Sequence, residues 1–181
     1  MINIYGKGGH AKVVKSTITL EGCNFYDDDD YCLSCEGLWI IAIGNNKSRK
    51  RIANEVLKDK EFITIMSVNS MCDSSIDLGE GTQIMAGVVI QVDTIIGKHC
   101  IINTAASVDH DCILGDFTFV GPNATLCGGV ELGECSFIGA GAIVLPYIKI
   151  GKNCTIGAGS VVTKNLPDGI TAYGNPAKIK S

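Results

Sequence analysis

From Leu78 to Val162 the chain places an aliphatic residue at every sixth position: Leu78, Ile84, Ile90, Ile96, Ile102, Val108, Leu114, Val120, Leu126, Leu132, Ile138, Val144, Ile150, Ile156 and Val162. In an α-helix a step of six residues turns about 600°, so these side chains would point three ways and build no common apolar face. Six is a multiple of the strand period of two, so short strands separated by tight turns send all of them to one interior. The pattern predicts a parallel β-helix. Two residues ahead of most of these aliphatics stands a small or β-branched residue, among them Thr82, Cys100, Ala106, Cys112, Ala124, Ser136, Ala142, Cys154 and Ser160, which lets the corners of the coil close. The residue after the aliphatic is often glycine (Gly79, Gly97, Gly115, Gly121, Gly133, Gly139, Gly151, Gly157), as either a positive φ or a close backbone approach would require.

Residues 1–70 follow a different rhythm. Ile2 to Tyr5 reads as a buried strand, Gly6-Lys7-Gly8-Gly9-His10 as a glycine-rich turn, about Ala11 to Glu21 as a helix and Asn24 to Tyr26 as a short strand. Leu38 to Ile43 reads as a buried parallel strand ending in Gly44-Asn45-Asn46, followed by a helix from about Lys47 to Lys60 and a strand from Phe62 to Met66. This βαβ alternation predicts an α/β, half-Rossmann-like domain over 1–70. An all-β coil with a C-terminal cap follows over 71–181, the change falling near Val68 to Ser75.

Gly6, Gly8 and Ala11 satisfy G-x-G-x-x-A, and Asp27 or Asp28 follows close to the ~20-residue offset of the dinucleotide fingerprint. Only one mononucleotide half is present, which argues against an NAD site. What remains is a turn of bare backbone N–H groups at a helix start, suited to a phosphate or sugar oxygen. The Asp27-to-Asp30 run and Gly44-Asn45-Asn46 both leave the carboxyl ends of predicted parallel strands, where open α/β sheets bind ligands. Gly8, Gly9, His10, Asp27, Asp28, Gly44, Asn45 and Asn46 are therefore the candidate substrate-binding residues.

Composition narrows the partners. The 181 residues are 46% hydrophobic but only 6% aromatic, which suits a narrow prism filled by Ile, Val, Ala and Cys. A formal net charge of −4 argues against nucleic acid or an anionic membrane surface as partner. The chain has no apolar stretch of membrane length and no signal peptide in its opening MINIYGKGGH. Its nine cysteines form no metal pattern, Cys32 and Cys35 having CxxC spacing without a partner pair, so no metal is expected. The odd cysteine count fits a reducing cytoplasm.

A small βαβ domain carrying GKGGH and FYDDDD, then IAIGNN with Arg49, then hexads containing NTAASVDHDCILGDF and CGGVELGECSFIGAGAIV, and finally VVTKNLPDGITAYGNPAK, resembles the NeuD/PglD family over nearly the whole chain. These are acetyl-CoA-dependent acetyltransferases of nucleotide-linked amino sugars or of sialic acid. The resemblance implies a left-handed coil with three hexads per turn, and a homotrimer in which acetyl-CoA runs between two subunits. It implies His110 as general base and Asp111 as the carboxylate holding its tautomer, with Asn103 near the site. Gly128 matches the family's backbone donor to the thioester oxyanion. Gly139-Ala140-Gly141 and Gly157-Ala158-Gly159 match the pantetheine path, and Lys164, Pro176 and Lys178 match the segment beside the CoA nucleotide; the same tail would also cap the open coil.

One departure is plain: Phe119 stands where relatives often carry a second histidine, and a phenyl ring donates no hydrogen bond. The only histidines, His10, His99 and His110, are split between the two halves, which weakens a metal-dependent carbonic anhydrase reading. The resemblance therefore implies an N-acetyltransferase of the 4-amino group of a nucleotide-linked 4-amino-4,6-dideoxy sugar, in surface glycan synthesis. The alternatives are a sialic acid O-acetyltransferase and a non-catalytic nucleotide-sugar-binding trimer.

Overall fold

The computed structural model describes residues 1–18, 22–30 and 35–180. Short two-residue strands pair in parallel with those eighteen residues on, as in the column Ile84, Ile102, Val120, Ile138 and Ile156, so three hexads make one turn. The result is a three-sided prism. Face one carries Gln83–Ile84, Ile101–Ile102, Phe119–Val120, Phe137–Ile138 and Thr155–Ile156; face two runs from Val89–Ile90 to Val161–Val162; face three runs from Asp77–Leu78 to Lys149–Ile150. The second residue of each strand points inward, and the aliphatic column from Ile84 to Val162 is buried as its period requires.

The hexad signal begins earlier than aliphatic residues alone reveal. Ile65–Met66 pairs with Gln83–Ile84, and Met71–Cys72 pairs with Val89–Ile90, so Met66 and Cys72 continue the column toward the N-terminus. The expected strand from Phe62 to Met66 is thus split: Phe62 makes a single bridge to Trp39, while Ile65–Met66 belongs to the coil.

The two sequence columns play roles that the pattern alone did not distinguish. Glycines after the aliphatic are there for close approach, not for positive φ: a β-carbon on Gly79 would lie 2.5 Å from the Gly97 carbonyl carbon, and one on Gly139 would lie 2.5 Å from Ala158 N. From Ile84 onward, positive φ falls three residues before each aliphatic, at Gly81, Gly87, Asp93, His99, Ala105, Asp111, Phe117, Asn123, Gly129, Cys135, Gly141, Tyr147, Asn153 and Gly159. The small-residue column also closes the corners chemically, since Thr82 Oγ1, Thr94 Oγ1 and Ser136 Oγ donate to the carbonyls of Gly97, Asp109 and Gly151.

The N-terminal part is a three-stranded parallel sheet in the order β2-β1-β3, with β1 at Ile2–Tyr5, β2 at Cys23–Tyr26 and β3 at Leu38–Ile41. Helix α1 spans Gly9–Thr17, shorter than expected, and Glu21 lies outside the described residues. The second expected helix is an α-helical α2, Asn46–Arg51, running into a π-helical turn over Ile52–Val56. Strand β3 stops at Ile41, two residues early.

The small domain docks on face one and on the corner joining faces three and one. Arg49 makes that joint. Fully buried, it donates from Nε to His99 O (2.7 Å), from Nη1 to Ile43 O (2.9 Å), and from Nη2 to Phe117 O (2.9 Å) and Thr118 O (3.1 Å). Phe62 meets His99 edge-on, and His99 stacks on Phe117 with ring centroids 5.1 Å apart. No described helix is long and apolar enough to cross a membrane.

Candidate active site

The sequence-selected residues fall on three separate edges of the molecule. The first is the carboxyl edge of the small sheet. Because β1, β2 and β3 run parallel, the Gly6–His10 turn, the Asp27–Asp30 loop and the Gly44–Asn46 loop all leave by this edge. Gly8 and Gly9 stand exposed at the start of α1, and a β-carbon at either would meet nothing within 4 Å, so the fold itself makes no steric demand for glycine there. Lys7 ties the turn to the acidic loop, 3.1 Å from Asp27 and 2.9 Å from Asp30, and these bonds raise its ammonium pKa. Asp28 accepts from the Tyr5 hydroxyl and pairs with Arg51 at 3.3 Å, which lowers its carboxyl pKa.

His10 and Asn46 turn out to be tied into the coil. His10 Nε2 lies 2.9 Å from Gln83 Oε1, and Gln83 Nε2 donates to Ile41 O. The amide oxygen can only accept, so His10 donates from Nε2 and keeps Nδ1 as an acceptor. Burial lowers its pKa, which keeps the ring neutral at neutral pH. Asn46 Nδ2 donates to Cys135 O and Ser136 O at 3.0 Å, and its Oδ1 accepts from Arg49. These bonds fix the Asn46 side chain in the interdomain joint, at the edge of the cleft beside this loop. Asn45 caps α2, its Oδ1 accepting from Ser48 N at 2.9 Å. Between this loop and the coil lies a cleft of about 450 Å³, lined by Gly44, Asn45, Asn46 and Lys47 on one side and by Cys135, Phe137, Asn153 and Thr155 on the other.

The second edge is the corner between faces two and three, where His110 and Asp111 form a turn. His110 Nδ1 lies 2.7 Å from Asp111 Oδ2, and this hydrogen bond raises the imidazole pKa above its ordinary 6.5. A carboxylate only accepts, so Nδ1 carries the proton and the Nε2 lone pair is left as the base. The ring leans over Gly128, where a β-carbon would fall 2.5 Å from Nε2. Only glycine leaves the imidazole room in this pose. The Gly128 N–H donates to no acceptor among the described residues. Burial pushes the Cys127 thiol pKa up, so the neighbouring cysteine stays protonated and is no rival nucleophile.

The third edge is the corner between faces one and two, where Ala140 and Ala158 lie at successive levels with Asn103 two levels below Ala140, and Ala140 and Ala158 are exposed. Asn103 Oδ1 accepts from Thr104 N at 2.8 Å, a local turn bond. Lys164 follows the last strand of face two, and Pro176 and Lys178 belong to the hairpin of Thr171–Gly174 with Ala177–Ile179 that closes the coil. Within one chain His110 is therefore not brought to the small domain's loops. Sequence reasoning missed Lys7 and Gln83; the signal for Gln83 was a lone amide in the outward column of face one, stacked beside Ile101, Phe119 and Phe137.

The acetyltransferase domain of PglB from Neisseria gonorrhoeae superposes over 99% of this chain and 98% of its own, with a TM-score of 0.93 and 32% identity. The chain belongs to the NeuD/PglD family of sugar acetyltransferases. Acetyl-CoA is the co-substrate of that family, and the same PglB domain has been solved in complex with it. The left-handed sense of the coil goes with the family fold. PerB from Caulobacter crescentus, solved with CoA and GDP-perosamine, matches 99% of this chain and 97% of its own at 37% identity and a TM-score of 0.93. The bacterial transferase hexapeptide (six repeats) model matches residues 111–146 and 129–164. UDP-N-acetylbacillosamine N-acetyltransferase of Bacillus subtilis is 38% identical across 47% of this chain, a match that spans about half (51%) of that curated relative. Among the described residues no three His, Cys, Asp or Glu side chains gather as metal ligands; Cys32 lies outside them.

Proposed function

We propose that this protein transfers the acetyl group of acetyl-CoA to the 4-amino group of a nucleotide-linked 4-amino-4,6-dideoxy sugar, in the cytoplasm, for surface glycan synthesis. The observation that carries the reading is the corner of Asp111, His110 and Gly128: a carboxylate fixing Nδ1–H, an Nε2 lone pair, and a backbone N–H with no acceptor among the described residues. Nε2 takes the proton as the amine nitrogen attacks the thioester carbonyl carbon. The carbonyl oxygen becomes an oxyanion, for which the Gly128 N–H is the available donor. Collapse of the tetrahedral intermediate breaks the C–S bond, and the imidazolium returns its proton to the departing thiolate.

The nucleotide-sugar is assigned to the carboxyl edge of the small N-terminal sheet and the transferase chemistry to the coil that follows it. The bare N–H groups of Gly8 and Gly9 at the start of α1 suit its phosphates. GDP-perosamine bound to PerB favours an amino sugar over sialic acid. Because the His110 corner lies away from the docking face of its own small domain, a complete site calls for a neighbouring copy. The exposed Val92, Ile95 and Ile113 around that corner favour a homotrimer that covers them. Ala140, Ala158, Lys164, Pro176 and Lys178 are assigned to acetyl-CoA.

A panel of UDP-, dTDP- and GDP-linked 4-amino sugars and CMP-sialic acid, each with acetyl-CoA and followed by thiol release, tests this. Turnover is expected on at least one amino sugar; turnover on sialic acid alone would make the enzyme an O-acetyltransferase. Binding without turnover on every compound would leave a nucleotide-sugar-binding trimer.

The pH profile offers a second test. Asp111 holds the His110 pKa up, so Asp111→Asn is expected to move the acidic limb of kcat/KM to lower pH. The plateau should also fall, though by well under the ~10⁴-fold of a buried triad aspartate, because Asp111 is exposed. An acidic limb at the same pH in both proteins would remove His110 as the titrating base.

A further inference from the structure

Tyr147 combines three properties that the fold does not explain. Its backbone is in the left-handed region at φ +60, its side chain is aromatic, and the residue is 73% exposed. Phe117, in the same conformation, is buried against His99 and so recovers its strain in the interdomain core. Cys135 is likewise buried, and the remaining non-glycine positions of this column hold Asp, Asn, His or Ala. An aromatic residue at positive φ crowds its own backbone, and Tyr147 gains little burial within its chain in return. Strain retained on those terms points to a contact outside the fold.

Its neighbours say which contact. On the corner between faces two and three, Tyr147 N donates to Gly128 O and Gly129 N donates to His110 O, both at 2.9 Å, so the three levels stack directly. The His110 ring reaches up over Gly128. The Tyr147 ring reaches down over Gly129, where a β-carbon would fall 2.5 Å from its Cδ1. Consecutive Cα atoms are about 3.8 Å apart, so base and aromatic ring share one floor of two glycines. An amine handing its proton to Nε2 sits about 3 Å from it, with the carbonyl carbon it attacks just beyond. On the acetyl-transfer reading, the tail of the acyl group is then placed between the two rings.

We propose that Tyr147 determines acyl-group specificity, its ring closing the C-terminal side of the His110 pocket so that a two-carbon acyl group fits and longer ones do not. This rests on the acetyl-transfer reading above. It also agrees with the direction of approach in that reading, since Lys164 and Lys178, assigned to CoA, lie at the C-terminal end of the coil beyond Tyr147.

The test measures the affinity of acetyl-CoA and butyryl-CoA by calorimetry for the wild type, Tyr147→Phe and Tyr147→Gly, alongside thiol release with the amino-sugar acceptor. The wild type and Tyr147→Phe should prefer acetyl-CoA by about ten-fold or more, and Tyr147→Gly should bring the two donors to within about two-fold. Tyr147→Gly should keep its oligomeric state and melt no lower than the wild type, because glycine adopts positive φ without strain. An unchanged preference in Tyr147→Gly overturns the proposal, and so does loss of its assembly, which would make Tyr147 an interface residue. A wild type that binds acetyl-CoA but acetylates no amino sugar sinks the functional reading instead, and the affinity ratios still decide the role of Tyr147. A wild type that binds neither donor overturns both.

Discussion

Replacing His110 by alanine is expected to lower kcat by about 10²–10⁴-fold while leaving the affinities for acetyl-CoA and nucleotide-sugar nearly unchanged. That range corresponds to about 3–5 kcal/mol of transition-state stabilisation. The split follows from geometry. The imidazole is held at an exposed corner by Asp111 and Gly128, and it takes no part in the core or in the interdomain joint, so its loss should spare folding. The pH dependence of the deficit separates amine from hydroxyl acceptors. An amine loses its proton to solvent as pH rises and then needs no base, so the deficit should shrink at alkaline pH. A sugar hydroxyl stays protonated throughout, and the deficit would persist. Full activity in the His110→Ala protein at neutral pH would remove the imidazole from the mechanism.

Arg49→Met is expected to cost about 3–5 kcal/mol of stability, the range seen when one side of a buried charged network is removed. Burial pushes the Arg49 pKa down to about 10, still well above neutrality, so a full charge sits in the joint. Among the described residues no carboxylate pairs with it; backbone carbonyls of the small domain (Ile43, Gly44) and of the coil (His99, Phe117, Thr118) surround it instead. Methionine fills much of the volume but leaves those carbonyls without their donor. In a chain of this length the melting midpoint should fall on the order of 10 °C. Hydrogen exchange should show β1, β2 and β3 losing protection while the coil retains its own. Lysine should rescue little, because a single ammonium cannot span acceptors arranged around a planar guanidinium. A melting midpoint unchanged by Arg49→Met would mean that the domains are held by apolar contacts alone.

These two residues mark the limits of reading the chain. His110 was legible because SVDHD is a local string, and its key partner, Asp111, is the next residue. Arg49 appeared in the sequence only as one letter after IAIGNN, since its acceptors lie as many as sixty-nine residues away and are backbone atoms, which carry no sequence signature. The part Asn46 plays in the joint was hidden for the same reason: its partners, Cys135 O and Ser136 O, come from a distant turn of the coil.

The sequence by itself determined the coil, because a six-residue aliphatic period is compatible with short strands around one interior and incompatible with a helix. It also determined the parallel βαβ start, whose loops leave one edge. Only the tertiary structure decided which residues meet across turns. Stacking at eighteen-residue intervals puts the His110 ring over Gly128 and Tyr147 over Gly129, and spreads the remaining candidates over separate edges. It also decided that the glycines after each aliphatic serve close backbone approach, while positive φ falls three residues before the aliphatic, on residues as varied as Gly129, Asp111, His99, Phe117 and Tyr147. The reason is physical: hydrophobic period is a local property that each hexad carries alone, whereas steric clearance, carbonyl acceptors and strain depend on the coil above, the coil below and the docked domain.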